Sequence, residues 1–434
     1  MALIYIFTNN TTNDPLMSMK SVSRRNFLKT SAAVGATTLP LFSIGRAGES
    51  ANNKINMAVI GAGGMGGYAY RRSKDMENLV ALCDVDFGRA GRAMGNHPDM
   101  PKFKDFRVMF DKMGDQIDAV AISTPDHTHF PIAMAAIERG KHVFVQKPLA
   151  HNIWQCRTLD KAAAKAGVVT QMGNQGHCMD GMRRIKEWYD AGVLGDVKEV
   201  ITWTNRPTGP WFVPPKSFPP PSAEVPANLD WDLWQGPVVT RREYSKDYVP
   251  VRWRGWWDYG VGSLGDIGCH TFDAPFWALD LGMPTKVEVE RADPPHPDFI
   301  TMSSVVTYHF PARGKKPPVK LTWYERGYDV PKPEGWPADK PLPEEGGMFM
   351  IGSKNTLMHP GMRPASPRIV PEERRRELRE EMDKIEKLPK GGKGPLEELF
   401  TAIKGGRAPG SEFSYAAPLT EMVLLGALAQ RSGK

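Results

Sequence analysis

Ile55-Asn56-Met57-Ala58-Val59-Ile60, followed at once by Gly61-Ala62-Gly63-Gly64-Met65-Gly66, reads as a short apolar strand, a glycine turn and the start of a helix. Each part of the turn has a physical use. Gly61 permits a tight turn, Gly63 lets backbone approach a pyrophosphate, and Gly66 lets the helix pack on the strand. Gly64 and Met65 complete the loop, and the helix start presents free N–H groups to phosphate. A second apolar strand, Leu79 to Cys83, ends in Asp84, an acid 23 positions after Gly61. That carboxylate suits the two hydroxyls of an adenosine ribose and repels a 2′-phosphate. The stretch therefore predicts a dinucleotide site that favours NAD over NADP. Asp86 is left as a loop charge.

Strand and helix patterns keep alternating after that. Asp118 to Ile122 and His142 to Val145 are strands, Phe130 to Arg139 and Asn152 to Ala166 are helical, and Val168 to Gln171 closes the unit. This is the pattern of an α/β Rossmann domain over residues 54–172. Such sheets carry their binding groups at the carboxyl ends of strands. Thr124, Pro125 and His129 follow one strand end and Lys147 another, so they are expected near the cofactor. From residue 173 to 434 the pattern changes. A helix at Asp180 to Ala191, a strand at Val197 to Trp203 and further strands at Lys286 to Glu290, Met302 to Phe310 and Val319 to Tyr324 predict a second, α+β domain with a large, mostly antiparallel sheet. Sheets of that kind form dimer faces, hence an expected homodimer or homotetramer. The proline-rich stretch Arg206 to Pro226 reads as an arm or lid, Glu372 to Lys387 as a solvated helix and Ala416 to Ala429 as an apolar closing helix.

Gly262-Ser263-Leu264-Gly265-Asp266-Ile267-Gly268-Cys269-His270 places an acid and a histidine four apart, on one helical face. The pair reads equally as an acid–base unit or as a helix cap beside a core histidine. Lys147 before a proline is, alone, an ordinary loop lysine.

Taken together, the glycine loop, Thr124-Pro125-Asp126-His127-Thr128-His129, Gln146-Lys147-Pro148 and Asp266-x-Gly268-x-His270 resemble, in order, the glucose–fructose oxidoreductase / inositol dehydrogenase (Gfo/Idh/MocA) family, closest to its exported members. The resemblance covers nearly all of residues 54–431. Two positions depart from it: Gln146 stands where the family typically has glutamate, and Asp126 where many members have asparagine. The resemblance implies hydride transfer between NAD and a secondary alcohol of a sugar, polyol or glycoside. It implies His270 as the base that takes the hydroxyl proton, Asp266 as its orienting partner, and Lys147 as a donor to the same oxygen. In Arg252-Trp253-Arg254-Gly255-Trp256-Trp257-Asp258, Arg254, Trp256 and Trp257 are candidates for a sugar pocket, because indole faces stack on pyranose rings. His177 is a further substrate candidate. A metal held by His177, Asp266 and His270 would be a weak pattern and the chemistry requires none.

Residues 1–47 read as an address. Ser23-Arg24-Arg25-Asn26-Phe27-Leu28-Lys29 is a twin-arginine pattern; an apolar run from Thr30 to Ile44 and a small-residue cleavage region at Gly45-Arg46-Ala47 follow. Met17 or Met19 is the alternative start. The run is short for a membrane span, so a periplasmic or otherwise exported protein without a stable span is expected, with an uncleaved anchor as the alternative. The chain of 434 residues carries a formal charge of +7, of which residues 1–47 hold +4, leaving +3. That small surplus, without a clustered basic stripe, argues against nucleic acid. Four scattered cysteines indicate neither a zinc ribbon nor a disulfide framework. Two alternatives to a dehydrogenase remain. One is an NAD-dependent glycoside hydrolase working through transient oxidation and elimination. The other is a non-catalytic dinucleotide- or sugar-binding protein, against which the presence of Lys147, Asp266 and His270 argues.

Overall fold

The computed structural model describes residues 53–434. The expected signal therefore lies outside the described residues. Six strands form the first sheet: β1 (Asn56–Ile60), β2 (Asn78–Cys83), β3 (Lys102–Phe103), β4 (Ala119–Ile122), β5 (His142–Val145) and β6 (Thr170–Met172). Their order is β3-β2-β1-β4-β5-β6 and every pairing is parallel. Strand order reverses between β1 and β4, the place where such sheets open a crevice.

Both faces of this sheet are covered, and the alternation along each strand shows how. Ala58, Ile60, Val120, Ile122, Val143 and Val145 enter one core; Met57, Val59, Ala119, Ala121 and Phe144, one residue out of step, enter another. The first core takes the helices Asp126–Glu138 and Ile153–Ala166 through Ile132, Ala136, Cys156 and Leu159. The second takes the helix Gly66–Met76 through Ala69 and Tyr70. The second core also takes Leu396, Leu399 and Phe400 of the helix Pro395–Ile403. The chain after residue 173 thus returns to cover one face of the first sheet.

The second sheet has seven strands: β7 (Val197–Thr204), β8 (Lys286–Ala292), β9 (Ser304–Phe310), β10 (Val319–Tyr324), β11 (Gly346–Gly352), β12 (Thr356–Pro360) and β13 (Arg368–Val370). The order is β13-β12-β11-β7-β10-β9-β8, with β7 and β10 parallel and all other pairs antiparallel. Val200, Val306, Leu321 and Met348 share the core that holds Ile60 and Ile122, so one apolar core runs between the two sheets. The helix Gly262–Thr271 and the closing helix Phe413–Ser432 fill it. They touch at Gly268, whose added Cβ would lie 3.1 Å from Val423. The charged run expected as one helix is two short ones, Glu372–Glu377 and Arg379–Asp383. Among the described residues no helix is long and apolar enough to cross a membrane.

Candidate active site

The carboxyl ends of β1, β2, β4 and β5 open onto a cleft of about 670 Å³. At the β1 end, Gly61 has φ +80°, a left-handed conformation that an L side chain rarely adopts. A Cβ on Gly66 would fall 1.7 Å from the Gly61 carbonyl oxygen, so the turn closes only with glycine there. Gly61, Gly63, Gly64 and Met65 line the cleft. The Gly63 N–H donates to Asp84 Oδ2 at 3.1 Å, and the Asp86 N–H donates to Asp84 Oδ1 at 3.0 Å. Burial raises the Asp84 carboxyl, and these two backbone donors oppose the rise. A glycine cradle that any Cβ would fill, with an acid beside it at the end of β2, fits a dinucleotide with a free 2′-hydroxyl. Arg89 also belongs to this cradle. A Cβ on Gly64 would meet its Nη2 at 2.6 Å. Sequence reasoning passed over it because nothing distinguishes it from an ordinary turn arginine.

Thr124 and Pro125 line the same cleft. His129 does not. It is fully buried, with Nδ1 2.8 Å from the Pro148 carbonyl and Nε2 2.8 Å from the Thr124 carbonyl. Its expected contact with cofactor is corrected to a tie between the two loops that carry Thr124 and Lys147. Burial lowers its value to about 4 against the opposing pull of the two carbonyls.

Lys147, Asp266 and His270 all line the cleft. Lys147 Nζ donates to Asp266 Oδ1 at 2.6 Å and to the Asp266 carbonyl at 2.7 Å. Arg254 Nε reaches the same carboxylate oxygen at 3.2 Å, and Arg206 Nη1 stands 4.0 Å from the other. Burial would raise Asp266, but Lys147, Arg254 and Arg206 outweigh it and hold the carboxyl well below the usual range. The expected pairing of Asp266 with His270 is therefore corrected: three cations draw the carboxylate away, and His270 Nδ1 is buried without a partner. Burial, with Lys147 and Arg363 nearby, pushes the His270 ring well below its ordinary value, Asp266 only partly opposing. A neutral imidazole beside an ammonium group can accept a proton. Asp126, at the start of the helix after β4, also lines this end; burial pushes its carboxyl up to about 7 against the pull of Lys147 and Arg254.

The tryptophan segment is sorted by a short 3-10 turn at Arg252–Gly255. Trp253 and Arg254 face the cleft, with the Arg254 guanidinium 4.3 Å from the Trp253 ring centroid. Trp256 and Trp257 do not, which corrects their expected role. They enter an aromatic core with Tyr248 and Phe299, and their indole N–H groups donate to the carbonyls of Asp247 at 2.9 Å and His296 at 3.2 Å. His177 is likewise corrected. It is buried away from the cleft, its Nδ1 2.9 Å from Asp273 Oδ1 and its ring against Trp277 and Tyr415. It is thus no partner to Asp266 and His270 in a metal site, and no cluster of three or more such ligands occurs among the described residues. All four cysteines are buried and free. Arg206 and Trp211 of the proline-rich arm, Gln175, and Arg363 of the loop after β12 also line the cleft.

Three family models match. One, described as the oxidoreductase family's NAD-binding Rossmann fold, covers residues 55–174; its companion C-terminal α/β domain covers 182–316. The third, a twin-arginine translocation signal, covers 21–40. Inositol 2-dehydrogenase 1 of Saccharopolyspora erythraea is 33% identical over 33% of this chain and 43% of its own length. The 2,7-anhydro-N-acetylneuraminate hydratase of Mediterraneibacter gnavus is 26% identical over 33% of this chain and 37% of its own. These matches span less than half the length of either relative. Among solved structures, the WlbA dehydrogenase of Bordetella pertussis in complex with NADH and UDP-GlcNAcA has a TM-score of 0.57 at 17% identity, covering 88% of this chain and 98% of that one. A levoglucosan dehydrogenase complex with NADH has a TM-score of 0.57 at 15% identity, over 87% and 97%. At those identities the likeness is one of fold. With two adjoining models of one family matching more than half its length, a parallel NAD-binding sheet and a mostly antiparallel companion, the chain belongs to the Gfo/Idh/MocA oxidoreductase family.

Proposed function

We propose that this protein is an exported NAD-dependent dehydrogenase acting on a secondary alcohol, or the matching ketone, of a sugar, polyol or glycoside. The observation that carries the reading is the meeting of Lys147, Asp266 and His270 on the wall of the cleft that also holds the glycine cradle. NAD, when bound, supplies the hydride acceptor. The rest falls to side chains. His270, held neutral and lining the cleft, is the group that takes the hydroxyl proton. Lys147 has three N–H donors and gives two to Asp266, so the third is available to the reacting oxygen. Asp266 holds the ammonium in place and balances its charge. Arg254 and Trp253 offer a charged edge and an indole face to the sugar. The seven-stranded sheet supports assembly as a homodimer or homotetramer, which light scattering would test. The twin-arginine signal supports delivery to the periplasm.

A second reading is NAD-recycling hydrolysis or hydration. It is favoured by one relative's being a hydratase, a reaction without net redox change. One experiment separates the two. Purified protein is offered glycosides and keto-glycosides while NADH absorbance and product mass are followed together. Accumulating NADH with a keto product supports the dehydrogenase; a free sugar without net NADH supports hydrolysis; neither product sinks both.

A further inference from the structure

Charge at the reacting end of the cleft does not balance. Lys147, Arg206, Arg254 and Arg363 face it against two carboxylates, Asp126 and Asp266. Asp266 already serves Lys147, Arg254 and Arg206. Arg363 forms no ion pair among the described residues. Its guanidinium gives one hydrogen bond, from Nη2 to Gln175 Oε1 at 3.2 Å, and its Nε–H is buried with no acceptor. A half-buried guanidinium without a carboxylate partner keeps donors of its planar fork for an anion. The oxidised nicotinamide ring adds another positive charge to the same end.

Arg363 is also held in place. It lies on residues 361–367, between β12 and β13. A Cβ on Gly181 would lie 1.6 Å from the Pro364 carbonyl oxygen, and one on Gly176 would lie 3.2 Å from the Pro364 ring. The loop is therefore packed closely against the backbone at Gly176 and Gly181, just after Gln175. A cation placed this firmly beside His270, with an unmet donor, is built to receive something.

We propose that Arg363 anchors an oxyanion on the substrate, so that the enzyme takes acidic sugars, a sugar carboxylate foremost, in preference to neutral ones. The proposal rests on the oxidoreductase reading of the cleft. A phosphate or sulfate ester shares the chemistry, and the test distinguishes them.

NADH-loaded protein is titrated with D-glucuronate, D-galacturonate, glucose 6-phosphate, glucose 6-sulfate, glucose and galactose, read by NADH fluorescence. At least one uronate is expected to bind about 10-fold or more tighter than its neutral parent, the scale of a charge-assisted hydrogen bond. Preference for an ester over both uronates moves the source of the oxyanion without moving the anchor. Arg363→Gln should abolish the preference while NADH affinity stays within about 2-fold, and Arg363→Lys, keeping charge without the fork, should retain part of it. Neutral sugars binding as tightly as the acids, no acid binding at all, or Arg363→Gln keeping the preference each overturn the proposal. Arg363→Gln losing NADH and sugar together assigns the arginine to the cofactor and also overturns it. If wild-type protein binds no NADH, the oxidoreductase reading falls, and the proposal with it.

Discussion

The proposed division of proton work between Lys147 and His270 follows from their surroundings. Both line the same cleft, yet Lys147 is fixed by Asp266 while His270 is buried with no partner at Nδ1. His270→Ala is therefore expected to lower turnover at least about 10²-fold, the usual scale for a positioned base, with NADH affinity nearly unchanged. Lys147→Ala should lower it too. Stopped-flow hydride transfer checks both; loss with Lys147→Ala alone would move the base to lysine. Because burial holds His270 neutral well below its ordinary value, the acid limb of kcat/KM should fall below pH 6.5. Asp126 supplies the opposite case. Gln146 removes a charge next to Lys147, and Asp126 brings a carboxyl to that end of the cleft. In the unfolded chain Asp126 titrates near 3.8 and in the fold at about 7, so the folded state holds an extra proton between those values. Stability is then fully present below the lower value and is lost as pH rises through the upper one. Asp126→Asn keeps the neutral shape. Its stability relative to wild type should rise between about pH 4 and about pH 8 in denaturant unfolding, and a flat difference would mean that the carboxyl is ionised throughout.

Strand β2 ends at the acid proposed to set cofactor choice. Asp84 accepts from two backbone N–H groups and lines the cleft beside the glycine cradle. Wild-type protein should bind NADH better than NADPH, and Asp84→Ala should narrow the gap by roughly 10-fold or more, read by fluorescence titration. Equal affinities in the wild type would refute the assignment. This half of the fold was legible because its rules are local: apolar strands, a glycine turn and an acid at a fixed distance all lie within 30 residues or so of one another. The other half was less so. Trp256 and Trp257 went to the core because a single 3-10 turn decides which of three neighbouring indoles faces the cleft, and spacing alone does not encode that turn. β11 to β13 were not read from sequence. Gly346 and Gly352 bracket the short apolar run of β11 because backbone lies where a Cβ would stand, 2.1 Å from the Leu194 carbonyl oxygen at Gly352. With those strands unread, Arg363 had no place in the site. His129 and His177 carried the right chemistry at plausible positions, and only burial and the Pro148 and Asp273 partners reveal their structural roles.

Folding and delivery meet at the level of the whole chain. The first sheet opens the described chain, yet its second core is closed by Leu396, Leu399 and Phe400, more than 300 residues after β1. The core between the sheets is closed later still, by the helix Phe413–Ser432. The core behind the dinucleotide site is therefore not closed until almost all of the chain is made. Contacts of such sequence separation form late because loop closure precedes them. An export route that threads unfolded chain would deliver this protein without NAD. One that reads a twin-arginine signal on a finished fold delivers it loaded. The signal at residues 21–40 agrees with that requirement. Changing Arg24 and Arg25 together to lysine should leave full-length precursor in the cytoplasm, folded and able to bind NADH, since neither residue belongs to the described fold. Fractionation with immunoblotting, and NADH fluorescence on the retained fraction, check the two halves of the prediction. Unchanged delivery of the double variant would mean that the arginines are not the address.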